Sequence, residues 1–132
     1  MQDIAQQLVD KWTKIIESYN IKIESTNLFR MNKYYEGYPD IEYCYKVTFN
    51  FDGALKGYTI NERTWIELKN NFIEMFGDTK PNVHYNFSEE IKFHNEKVEY
   101  MTNQGSRLII QFYPAGFICD LREDKLNKLL NN

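Results

Sequence analysis

The chain has 132 residues, a formal net charge of −3 and an isoelectric point of about 5.4. It is long enough for one domain and short for two, and a chain of this size buries roughly two-thirds of the surface its unfolded form exposes, so a core can form without disulfides or metal. The acidic balance weighs against general nucleic-acid binding, which neutralises phosphates with Lys and Arg, and 42% hydrophobic residues with only three prolines and six glycines exclude a disordered or fibrous chain.

The N-terminus, Met1-Gln2-Asp3, leads straight into an amphipathic pattern. It has no basic segment followed by an apolar one, so no signal peptide is expected. No apolar run reaches the length of a membrane-spanning helix. Cys44 and Cys119 are far apart and form no CxxC. The expected setting is the cytoplasm, with free thiols. Abundant Asn and Ile, and Lys in excess of Arg, indicate an AT-rich coding genome, that of a low-GC bacterium or its phage.

Residues 3–19 carry Ile4, Leu8, Trp12, Ile15, Ile16 and Tyr19 at three- and four-residue steps, which predicts a helix with one buried face. Asp3 is its expected cap and Asn20 its expected stop, since Asn tolerates a left-handed backbone. Residues 21–31 alternate in part and predict a strand with an irregularity near Ser25-Thr26-Asn27. Asn32 to Asp40 reads as a loop by its Gly, Pro and Asp content. The clearest strand follows at 41–51, with Ile41, Tyr43, Tyr45, Val47, Phe49 and Phe51 on every odd position. Asp52-Gly53 is a turn signal, and 55–60 is expected to return as a short strand.

A second helix is predicted over 62–76. Asn61 is its cap, Ile60 and Trp65 stand at hydrophobic-staple spacing, Trp65, Leu68, Phe72, Met75 and Phe76 form its stripe, and Gly77 ends it. The last third is strand-rich: Val83 to Phe87, Ile91 with Phe93, then a hairpin from Val98 to Phe112 around Asn103-Gln104-Gly105. Pro114-Ala115-Gly116 breaks the chain, Phe117 to Cys119 is expected as one more short strand, and a helix closes residues 121–130.

The order is α-β-β-β-α-β-β-β-(β)-α. It predicts a single globular α+β domain over 1–132, with an antiparallel sheet and helices packed on one face. Its first half shares its order with double-stranded-RNA-binding domains, but the second helix lacks their lysine cluster, and topology alone does not carry function.

The chemical signatures are sparse. His84, His94, Cys44 and Cys119 have no metal-ligand spacing. Neither cysteine stands in a glycine-rich elbow or before a helix, and Cys119, after two apolar residues, is expected to be buried. Glu89-Glu90 and Glu123-Asp124 are adjacent pairs that diverge in a strand or a helix. No glycine-rich phosphate loop occurs. The reading is therefore no catalytic residue, no metal and no cofactor.

The feature singled out is the segment around 33–45. Tyr34, Tyr35 and Tyr38 lie in a polar turn, with Arg30 and Lys33 beside them. Tyrosine in a loop offers rigid apolar area with a hydroxyl that stays wet, which suits an interface anchor, although the same rings could instead close over the core. The expectation is a non-enzymatic protein-binding module, of the kind of a small inhibitor, immunity-type or phage-encoded antagonist protein, with Arg30, Lys33, Tyr34, Tyr35 and Tyr38 at its surface. One alternative is a small-molecule or enzymatic pocket lined by Trp12, Tyr43, Tyr45 and Trp65, with His84 or His94 for proton transfer. Another is nucleic-acid binding through a local patch. A homodimer is expected if the strand at 41–51 forms a sheet edge.

Overall fold

The computed structural model describes residues 2–31, 44–52, 60–78, 82–84 and 89–123. The described elements are α1 (Gln2–Ser18), β1 (Ile23–Met31), β2 (Cys44–Phe51), α2 (Glu62–Phe76), β3 (Asn82–His84), β4 (Glu89–Lys92), β5 (Val98–Asn103) and β6 (Arg107–Phe112), followed by a 3-10 turn at Pro114–Phe117. The strands form one six-stranded antiparallel sheet in the order β1-β2-β6-β5-β4-β3. The protein is an α+β fold with its helices on one face of the sheet.

The helix ends follow the residues that the backbone needs there. Asn20, two residues after the end of α1, takes a left-handed φ of 62°. That helix already includes Gln2, so Asp3 lies within its first turn rather than at the cap. The Asn61 side chain accepts from the Thr64 N–H at 2.8 Å, and Gly77 closes α2 at φ 77°. The loop between β4 and β5 is tied to this end: the Asn95 amide donates to the Phe76 carbonyl at 3.1 Å, and Asp78 accepts from the His94 N–H at 2.7 Å.

The core lies between the helices and the sheet. From α1 come Leu8, Trp12 and Ile16, and from α2 Trp65, Leu68, Phe72 and Phe76. From the sheet come Tyr45, Val47, Phe49 and Phe51 of β2, Ile91 of β4, Val98 and Met101 of β5, and Leu108, Ile110 and Phe112 of β6. Trp12 is the centre, meeting Phe72, Phe76, Phe112 and Phe117 edge-on at 4.8 to 6.5 Å between ring centres. Among the described residues its buried indole N–H has no hydrogen-bond partner.

Three expectations are corrected. The described part of the strand expected at 41–51, β2, is interior, because it pairs with β1 on one side and β6 on the other, so the condition for a homodimer through its edge is not met there. Phe117 to Cys119 is helical rather than a strand: the 3-10 turn starts at Pro114, whose fixed φ suits a first helical position, and helix continues over 118–123. That geometry turns Phe117 into the core and leaves Cys119 exposed, against the expected burial. Of the expected return strand at 55–60 only Ile60 is described, and it is not in a strand; most of the closing helix expected at 121–130 also lies outside the described residues.

The 3-10 turn fits only with a glycine at its third position. A Cβ on Gly116 would lie 2.6 Å from the Glu96 carbonyl oxygen and 3.0 Å from the Lys97 Cα, both backbone atoms. The neighbouring Tyr113 N–H donates to the Lys97 carbonyl at 2.8 Å, so the two segments cannot part cheaply. Gly116→Ala is expected to cost about 1–3 kcal/mol in urea unfolding, the range of an overpacked site. An unchanged midpoint would mean that the turn relaxes freely.

Candidate functional site

Antiparallel register assigns each strand residue to a face, because directly opposed residues share one. On the helix-free face one row reads Phe29, Lys46, Gln111, Tyr100, Lys92 across β1, β2, β6, β5 and β4. The next row reads Asn27, Thr48, Ile109, Thr102, Glu90. A third, shorter row holds Ser25, Asn50 and Arg107, with the Asn50 amide donating to Ser25 Oγ at 3.2 Å.

The middle of this face is fixed by buried polar contacts. Gln111 is buried and donates to Glu99 Oε2 at 2.5 Å, and the Tyr113 hydroxyl donates to the same oxygen at 3.0 Å. Glu99 reaches both because the register shifts between Val98 and Tyr100, where β5 carries one extra residue. Ile109 is buried beside Gln111, while Phe29, at the β1 end of the row, is 59% exposed. A lone exposed apolar side chain is ordinary. Phe29 is set apart by its place: it stands on an edge strand of a described sheet, beside the exposed Arg30, where the chain leaves β1 for residues 32–43.

Of the expected binding residues, Arg30 lies on β1 opposite Tyr45 and is exposed. Lys33, Tyr34, Tyr35 and Tyr38 lie outside the described residues. Phe29 was not singled out from sequence, because an apolar residue after Leu28 in a partly alternating strand reads as further core. The available signal was the phase: Leu28 faces the helices opposite Val47, so its neighbour must face away.

The members of the alternative pocket are dispersed. Trp12 and Tyr45 are buried in the aromatic core, both against Phe112. The Trp65 indole donates to Glu89 Oε2, and Lys69 Nζ bonds Glu89 Oε1 at 3.0 Å. His94 is exposed beyond the end of β4, His84 opposes Glu90 in the β3–β4 register, and Tyr43 lies outside the described residues. Cys44 is fully buried, and neither cysteine forms a disulfide. Among the described residues no group of three metal-ligating side chains occurs, and no helix is long and apolar enough to cross a membrane.

No family model, curated protein or solved structure matches the chain.

Proposed function

We propose that the chain is a non-enzymatic protein-binding module of the cytoplasm, of the inhibitor, immunity-type or phage-encoded antagonist kind. The observation that carries this reading is Phe29, more than half exposed at the point where the sheet leads into the tyrosine-rich segment. Aromatic and arginine side chains are the common anchors of protein interfaces. Arg30 and Phe29, with Lys33, Tyr34, Tyr35 and Tyr38 following within a few residues, supply both kinds. The acidic total suits a partner with a basic face, which would be drawn in by long-range attraction.

The test is affinity capture of the tagged full chain from its host lysate, with two variants alongside. Phe29→Ala and the triple Tyr34→Ala, Tyr35→Ala, Tyr38→Ala are each expected to lose a stoichiometric partner while keeping the wild-type melting temperature. Loss of folding in the triple variant would instead make those rings part of the core. Lys46, Lys92 and Arg107 share the helix-free face with Tyr100, but Glu90 and Glu99 lie among them. Salt-sensitive binding of single-stranded DNA or RNA in place of a protein partner would overturn the proposal.

A further inference from the structure

An edge strand presents a row of backbone N–H and C=O groups that a second strand can use. Among the described residues, β1 is the longest strand and nothing pairs with its outer edge. The pairing to β2 runs without interruption from Ser25 to Met31, and the register shifts just before it, so Glu24 is an extra residue at the end of the regular stretch. Glu24, Ser25, Thr26, Asn27, Phe29 and Arg30 are all exposed.

Proteins commonly blunt such an edge with charges along it, Lys above all. Here the two charges stand at the ends, Glu24 and Arg30, with opposite signs, and the stretch between them is uncharged. We propose that two copies of the chain join edge to edge through β1, antiparallel, about a two-fold axis at Asn27.

The register follows from symmetry. Antiparallel pairing of identical strands needs a two-fold axis perpendicular to the sheet, which keeps each face on its own side. Directly opposed residues must then share a face, so the axis passes through a residue rather than between two. With Asn27 at the axis, Glu24, at the register shift that ends the regular stretch, comes beside Arg30 of the second copy, and the pair occurs twice. Ser25 opposes Phe29 on the helix-free face, and Thr26 opposes Leu28 on the helix face, in agreement with their registers against β2. Moving the axis to Thr26 sets Glu24 beside the apolar Leu28. Moving it to Leu28 leaves Glu24 without a basic residue opposite.

Arg30 also takes part in an interaction within its own chain. Its guanidinium carries five N–H donors, so that interaction and the intermolecular pair are compatible. The joint is small for a protein interface, which sets the expected affinity in the micromolar range.

The experiment is sedimentation equilibrium of the purified full chain, from low to high micromolar concentration, with circular dichroism to verify folding. The expected result is a monomer–dimer equilibrium. Glu24→Arg alone and Arg30→Glu alone should each raise the dissociation constant about tenfold or more, since two attractive pairs become two repulsive ones. The double reversal, Glu24→Arg with Arg30→Glu, should restore it. A monomer at every concentration overturns the proposal, as does a dimer indifferent to either single reversal. Loss of the dimer in both single variants without rescue in the double overturns the register. None of these readings depends on capture of a different partner, so this inference and the proposed function fail separately.

Discussion

Trp12→Ala should remove about 3–5 kcal/mol of stability, the range for deleting a buried aromatic. Trp12 is fully buried and joins α1 to α2, β6 and the 3-10 turn through four phenylalanine rings. Its truncation opens a cavity that four rigid rings, held by three different elements, can close only in part. Against a total of about 5–15 kcal/mol for an ordinary domain, that loss brings the chain near its unfolding threshold. Thermal unfolding followed by near-ultraviolet dichroism reads it directly. Trp12→Phe should lose much less, because the indole N–H it discards has no hydrogen-bond partner among the described residues. Equal losses in the two variants would mean that the N–H, not the ring volume, holds the site.

Glu89→Ala should be the next most damaging substitution, at about 3 kcal/mol. Glu89 accepts from the Trp65 indole with one oxygen and from Lys69 with the other, and so binds β4 to α2. The Lys69 and Glu89 side chains are only 14% and 11% exposed, so water does little to screen the pair or replace it. Alanine leaves an ammonium and an indole N–H without their acceptor. The neutral pair Lys69→Met with Glu89→Gln keeps an acceptor for Trp65 and strands no charge, so it should unfold within about 1 kcal/mol of the parent. Urea titration of the three proteins separates these cases. A loss below about 0.5 kcal/mol in Glu89→Ala would show that the pair behaves as a solvated surface contact.

Local structure was legible in the sequence wherever one residue type has one physical use. Asn61, Gly77 and Asn20 mark helix ends because few other residues cap or turn a backbone there, and each does so in the fold. The odd positions of β2 stood out because alternation has no other cause. Phe117-Ile118-Cys119 was misread because three apolar residues have no period, and the deciding contact, Gly116 against the backbone of residues 96 and 97, is distant in sequence. Strand order was hidden for a related reason. Nothing near Val47 says that its neighbour is Ile110, since strand pairing is chosen by shape across the whole core. In the candidate site, Arg30 was picked out by its charge beside the tyrosines, whereas Phe29 needed a register before its exposure could be seen.

The place of β6 between β2 and β5 has a consequence for how the chain is made. As the polypeptide leaves the ribosome, β2 emerges well before β6, and it then has an apolar face and one bare flank. Its partner on that flank comes only with residues 107–112, after α2, β3, β4 and β5. The sheet therefore cannot close until those residues have emerged. Its closure waits on a long loop, which places the chain with slower, topology-limited folders of the millisecond-to-second class. Until then β2 is a sticky intermediate surface, and nascent chains stalled before residue 107 are the form most in need of a chaperone.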